Sequence, residues 1–423
     1  MRRKEFVPTE RQKRLIAEAM QLIEEAKDNP RIPIPDRMRS PLGMDDNYNF
    51  FPVTDDDKRR DPRTKTPNEA HATGALMGLA VGDALGATLE FVRPTGQSRY
   101  PELVRGPHRD MTGGGPHRVV AGQITDDTQM AVCLFSALRD KGRKVDAKAI
   151  AKRYVAWLPH AFDAGNQTRA TLALVAQGVK PHTAGKRVWL ESGKLAAGNG
   201  SLMRTAPIAV FFARNQHERC TATMLDSQIT HWDPRCVLAC LGLNGAIASA
   251  VRGDTSVADM LHQCEDDFTV WADVMRGDDY AEDKDLVTRA EEELLEDLDR
   301  SGDDDPRLDQ PGLHLYDTAG FVRVAFRLAL WHLRHSDDFS ASMIDIANRG
   351  GDADTNAAIT GALLGARLGV DSIPSAWCGA VAAAVPSEGM KSPLAKDYHP
   401  AFMLEHVRDI LGKDLEKPSF FGR

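Results

Sequence analysis

The chain is expected to fold as an all-α bundle around a central buried helix, and three observations lead there. Aromatic residues make up only 6% of the 423 residues, while glycine alone contributes 34 and alanine is plentiful. Small residues in that abundance let helices approach closely and leave little to fill the core of a β-sandwich. Apolar positions recur at helical spacing along most of the chain. No stretch alternates with period two for long enough to be defended as a strand.

Taken in order, the elements follow from spacing and breakers. Leu15, Ala19, Leu22, Ile23 and Ala26 form one stripe of a short amphipathic helix at about 9–27, and Pro30 ends it. From Arg31 to Pro67 proline, aspartate and arginine dominate, which reads as an extended arm carrying an aromatic knot at Tyr48, Phe50 and Phe51. The main domain begins near Glu69. Inside an apolar segment Gly74, Gly78, Gly82 and Gly86 recur every four residues. Each costs a helix about 1 kcal/mol relative to alanine, so four on one face call for close backbone approach by another buried helix. Gly361, Gly365 and Gly369 repeat the device, and the two helices are expected to cross at the centre of the fold. Further helices are expected at about 127–140, 146–157, 166–177, 219–230, 234–251, 284–298, 315–334, 339–347 and 401–411, and one from 357 onward. Between Glu265 and Asp309 acidic residues outnumber basic ones roughly four to one. That stretch reads as a solvated surface insertion, with a docking face for a basic partner as the alternative.

The totals exclude several classes. A net charge of −8 argues against a general nucleic-acid binder. Of six cysteines only Cys236 and Cys240 are close, at helical spacing and without a histidine pattern, so they read as reduced core thiols. The best candidate for a membrane span, Ala75 to Leu89, is short and interrupted by Asp83. The charged start Met1-Arg2-Arg3-Lys4-Glu5 is not followed by the apolar core of a signal peptide. A cytoplasmic protein without membrane partners is expected.

Chemistry concentrates in two acidic clusters. Asp352 and Asp354 follow a glycine pair, stand beside Thr355 and precede an apolar small-residue run. An extended or turn backbone would put both carboxylates on one side, where they are either helix caps or hard-metal ligands. Far upstream, Thr125-Asp126-Asp127-Thr128 opens a second apolar run. Four carboxylates facing one another are costly unless offset, and a binuclear magnesium or manganese site would offset them. Gly198-Asn199-Gly200-Ser201 is either an ordinary turn or a set of backbone N–H groups for a diphosphate, with Arg204 as a nearby cation. His231 is either a core histidine or a ligand contact. Asp83, polar in an apolar helix, needs a partner and is expected to support the metal site from behind.

Five motifs together carry a resemblance. Gly82-Asp83-Ala84-Leu85-Gly86 with Glu90-Phe91, Thr125-Asp126-Asp127-Thr128, Gly198 to Arg204, Ser227-Gln228-Ile229-Thr230-His231, and Gly351-Asp352-Ala353-Asp354-Thr355 lie in this order between residues 74 and about 370. The pattern resembles the ADP-ribosylglycohydrolase family. The resemblance implies an all-α domain, a compact orthogonal helical bundle with a binuclear metal cleft, over residues 68–423, with the acidic insertion at about 263–310. It implies two Mg2+ or Mn2+ ions held by Thr125, Asp126, Asp127, Asp352, Asp354 and Thr355. Catalysis would fall to Glu90, Asp127 and Asp352. Gly198, Asn199, Gly200, Ser201, Met203, Arg204 and His231 would contact ADP-ribose. The implied substrate is an ADP-ribosylated protein, modified on arginine, with serine-linked or free ADP-ribose derivatives as the alternative. The extension at residues 1–67 resembles that of bacterial immunity proteins, which points to an ADP-ribosyltransferase toxin as a partner and to toxin binding as a rival function.

Overall fold

The protein is described from a computed structural model, which covers residues 67–92, 108–277, 279–384 and 397–415. The expected arm, with its helix at about 9–27 and the knot Tyr48, Phe50 and Phe51, lies outside the described residues up to position 66. Among the described residues fifteen α-helices carry the domain. In chain order they are α1 (Glu69–Gly86), α2 (Asp126–Asp140), α3 (Ala147–Trp157), α4 (Asn166–Ala176), α5 (Pro181–Glu191), α6 (Ala206–Phe211), α7 (Gln216–Thr230) and α8 (Pro234–Val251). Then come α9 (Val257–Gly277), α10 (Lys284–Arg300), α11 (Val322–His335), α12 (Phe339–Arg349), α13 (Ala353–Leu368), α14 (Ser375–Ala383) and α15 (Ala401–Leu415). The described strands are one small antiparallel hairpin, β1 (Asp309–Gln310) against β2 (Leu313–His314).

The centre is a pair of helices, α1 and α13. Asn68 caps α1 by accepting from the Ala70 N–H at 2.8 Å, and every residue from Gly74 to Gly86 is buried. A Cβ built on Gly74, Gly78 or Gly82 would stand 2.0–2.1 Å from the carbonyl oxygens of Gly365, Gly361 and Ala357 respectively. Built on Gly361 or Gly365 it would meet Gly78 or Gly74 at 2.2 and 2.0 Å. Rising position numbers on α1 therefore meet falling ones on α13. The helices run antiparallel in backbone contact over four turns, where the sequence suggested a single crossing. Gly369 does not belong to this stripe; with φ 82° it ends α13.

Four helices were not foreseen: α5, α6, α9 and α14. In α5 the punctuating Pro181 and Gly185 mimic a turn, yet the proline sits in the first turn and the glycine passes 2.2 Å (to a built Cβ) from the Gln228 carbonyl oxygen. Helix α9 was masked by its acidic composition. Its buried face holds Met260, Leu261, Cys264, Phe268, Trp271 and Met275. The acidic stretch is therefore not simply a solvated insertion: α9 and α10 bury apolar faces, and two of their carboxylates are interior. Asp267 takes Arg219 at 2.8 Å, both at most 1% exposed. Asp297, fully buried, takes Arg323 at 2.7 Å and Arg327 at 2.6 Å. The helix expected from 315 starts only at Val322, because the preceding backbone pairs with another loop: Val322 N–H donates to Ala197 O, and Asn199 N–H to Gly320 O, both at 3.0 Å.

Candidate metal centre

Which residues cap the two helices bears on the role of the acidic clusters. At α2 the N-cap Thr125 makes no side-chain cap bond. Asp83 reaches across from α1 instead. It accepts from the Thr125 N–H (2.9 Å) and hydroxyl (2.9 Å) and from the Thr128 N–H (3.1 Å) and hydroxyl (2.5 Å). The Thr125 and Thr128 N–H groups of that helix end are thus taken by Asp83 and not by Asp126 or Asp127; Asp127 Oδ2 accepts from the Thr125 hydroxyl at 3.1 Å. The helix starts at Asp126, so the two carboxylates diverge from adjacent helical positions.

The second cluster is built the same way. Gly350 and Gly351 take φ of 72° and 69°, and a Cβ on Gly351 would lie 2.3 Å from Leu315 O. The Gly351 carbonyl accepts from the Phe91 N–H at 2.6 Å, which brings the start of α13 beside Glu90. Helix α13 begins at Ala353, four residues earlier than expected, so Asp354 lies in its first turn and Asp352 is the N-cap. Asp352 makes no cap bond. Its Oδ2 accepts instead from Asn199 Nδ2 at 2.7 Å. Asp83, Asp127 and Asp354 offer oxygens within 4.8 Å of one another, as do Glu90, Asp352 and Asp354. Two helix N-termini, each carrying partial positive charge, thus converge on one buried acidic cleft.

The electrostatics show an uncompensated site. Burial drives Asp126, Asp127 and Asp354 well above the usual carboxylate range, and acidic neighbours push them further: Asp163 on Asp126, Asp83 on Asp127, Glu90 on Asp354. Burial raises Asp352 as well, against the pull of Asn199. Asp83 reaches only about 6, because its hydrogen bonds from Thr128 and Thr125 offset part of its burial. Asp127 Oδ1 is buried with no hydrogen-bond partner. An orphaned carboxylate oxygen in an all-oxygen donor set fits a hard divalent cation, which would also remove the mutual repulsion. Thr125 (0% exposed) and Thr355 (5%) are buried with the aspartates.

Glu90 (4% exposed) is also buried. Burial pushes its carboxyl up to about 7, with Asp163 and Asp352 adding to the rise. Its Oε2 lies 2.5 Å from His117 Nε2, and that hydrogen bond lifts His117 above the ordinary imidazole value. His117 and Asp163 were missed in the sequence. The available signal was the run Gly113-Gly114-Gly115-Pro116-His117, a strong turn carrying a titratable residue.

The loop 198–204 meets the cleft through Asn199, but its other members divide. The N–H groups of Gly198 and Asn199 are already committed to Gln167 (3.4 Å) and Gly320 (3.0 Å). Those of Gly200 and Ser201 make no backbone hydrogen bond among the described residues. Met203 is buried, 4% exposed, and its N–H donates to Asn199 O. Arg204 is not a free cation. Fully buried, it pairs with Asp226 (3.1 Å), donates to Gly200 O (3.1 Å) and lies 4.6 Å over the Tyr154 ring. His231 is likewise beneath the loop: a Cβ on Gly200 would stand 2.8 Å from its Cε1. Burial, helped by Arg204, holds its pKa well below the normal value, so the ring is neutral. Ser201 is tied down by the Ser227 hydroxyl at 2.9 Å. Arg204 and the Ser201 hydroxyl are thus engaged with protein partners beneath the loop, and His231 packs against Gly200 with Nδ1 2.7 Å from the Thr230 hydroxyl.

Known proteins are similar to this chain. The chain is 31% identical to the ADP-ribosylarginine hydrolase Tri1 of Pseudomonas putida (strain GB-1), over 75% of this chain and 76% of that one. It is also 31% identical to the ADP-ribosyl-[dinitrogen reductase] glycohydrolase of Rhodospirillum rubrum, over 72% of this chain and 88% of the relative. A solved structure described as an ADP-ribosylglycohydrolase-related protein complex superimposes with a TM-score of 0.57 at 28% identity, covering 82% of this chain and 98% of its own. The family model for ADP-ribosylglycohydrolase matches residues 64–406. The chain belongs to the ADP-ribosylglycohydrolase family and is an enzyme of that class.

Proposed function

We propose that the protein removes ADP-ribose from arginine side chains of modified proteins, using Mg2+ or Mn2+ held by Thr125, Asp126, Asp127, Asp352, Asp354 and Thr355. The observation that carries the reading is the convergence of two helix N-termini in a single buried acidic cleft, where Asp352 makes no cap bond and Asp354 accepts, among the described residues, only from the neighbouring Thr355 N–H at 2.8 Å. The arginine linkage is supported by the activity named for the Tri1 relatives at 31% and 30% identity. Cations of this class supply Lewis acidity, polarising sugar hydroxyls and acidifying water. Asn199 orients Asp352. Glu90 is the carboxyl left for proton handling, and a pKa of about 7 suits a group that must take and return a proton near neutral pH. The Gly200 and Ser201 N–H groups, which make no backbone hydrogen bond among the described residues, are the donors this reading assigns to a diphosphate.

The test is release of ADP-ribose from matched arginine- and serine-modified peptides, followed by mass spectrometry. Arginine is expected to be cleaved faster, activity to disappear in excess chelator and return with Mg2+ or Mn2+. Asp352→Ala or Asp354→Ala should abolish hydrolysis with helical content unchanged. Full activity in chelator would refute the metal assignment, and serine preference would move the substrate. The likeness of residues 1–67 to immunity-protein extensions supports an ADP-ribosyltransferase toxin as the source of the modification, with the arm filling the toxin's cleft as a second means of protection.

A further inference from the structure

The turn between Gly113 and Val119 is used neither for metal ligation nor for the nucleotide loop, yet it is built at some conformational cost. Gly113, Gly114 and Gly115 take φ of 69°, 92° and 70°, and Arg118, which is not glycine, takes 54°. Gly114 and Val119 exchange two backbone hydrogen bonds of 2.7 and 3.0 Å. Gly115 passes so close to the chain beyond α1 that a Cβ there would stand 2.3 Å from Thr88 O. The outcome is that His117 is delivered to Glu90, two residues after Thr88, at 2.5 Å. Phe162 braces the imidazole edge-on, with centroids 5.8 Å apart, and Asp163 Oδ2 lies 3.9 Å from the same Nε2. Among the described residues this is the one hydrogen bond made by the Glu90 side chain. Side-chain exposure falls from 26% at Asp163 and 24% at His117 to 5% at Glu90.

We infer that His117 is a positioning residue that fixes the Glu90 carboxyl for hydrolysis; the inference rests on the glycohydrolase reading above. Glu90 shares a buried cleft with Asp352 and Asp354, so without a donor its carboxyl would turn away from them. A reacting group displaced by about 1 Å can lose on the order of a hundredfold in rate. His117, Glu90 and Asp163 offer ligand atoms within 4.8 Å of one another, but His117 contacts none of the six residues proposed above to hold the ions, so its loss should leave ion binding there alone.

The experiment compares wild type, His117→Ala and His117→Gln on an ADP-ribosylarginine peptide at saturating Mg2+. For His117→Ala kcat should fall about 10- to 100-fold, with KM, melting temperature and ions bound per chain unchanged. Added imidazole should restore part of the rate. His117→Gln, whose amide can still donate to Glu90, should retain more activity than the alanine variant. The inference is overturned if the alanine variant keeps kcat within about threefold of wild type, below the loss expected for such a partner. It is equally overturned if the loss is the same for glutamine and alanine and unmoved by imidazole, or comes with loss of bound metal or of melting temperature. An inactive wild type would remove the functional reading and this inference with it; an active wild type beside an equally active alanine variant removes this inference alone.

Discussion

Gly78→Ala is a one-carbon change whose consequence can be worked from the α1–α13 contact. The added Cβ would sit 2.1 Å from Gly361 O and 2.9 Å from its carbonyl carbon, where a tolerable C···O contact is about 3.3 Å. Both sides are backbone, so no rotamer can yield. The helices must separate by about 1 Å at that turn, breaking the interlock above and below it. Alanine repays about 1 kcal/mol of helix propensity, while overpacking costs about 1–3 kcal/mol and more where nothing can relax. The net loss should be about 2 kcal/mol or more, read by calorimetry as a fall of several degrees in melting temperature. Gly78 touches no carboxylate, yet the shift moves Asp352 and Asp354 on α13 relative to Asp83 on α1, so Mn2+ affinity measured by titration calorimetry should fall as well. Gly379→Ala in α14, where nothing lies within 4 Å of a built Cβ, is the control and should be neutral or stabilising. A Gly78→Ala protein as stable as that control, with unaltered metal affinity, would refute the idea that this backbone contact sets the spacing of the cleft.

Asn199→Ala removes the donor to Asp352 Oδ2 and should weaken activity or metal affinity about 10- to 100-fold with little change in melting temperature, checked by initial rates against Mn2+ concentration. Asp297→Ala leaves Arg323 and Arg327 buried without their shared carboxylate and should cost about 3–5 kcal/mol, measured by denaturant titration. Deleting residues 1–66 should leave the domain's melting temperature unchanged. In cells exposed to a cognate toxin, full protection by that truncated protein, together with none from Asp352→Ala/Asp354→Ala, would show that the arm is no inhibitor.

Most of the site was legible because its chemistry is local in the chain. Asp126-Asp127 and Asp352-x-Asp354 are short motifs that two helix starts present whatever surrounds them, and the four-residue glycine repeat announces a close helix pair through its own cost. That Asp83 needs a partner followed from a lone carboxylate in an apolar helix, and its partners are Thr125 and Thr128. What sequence could not decide was the use of groups whose partners lie far away. Arg204 carries the right chemistry for a ligand, but Asp226, 22 residues on, and the Gly200 carbonyl claim it for the loop's support. The acidic stretch looked solvated because its partners Arg219, Arg323 and Arg327 lie on other helices. His117 became visible only once a glycine turn had folded it onto Glu90, 27 residues earlier. Local pattern fixes where a helix starts and which charges it offers; only long-range contact fixes whether a charge is spent inside the protein or left for a ligand, since burial and pairing are properties of neighbours in space.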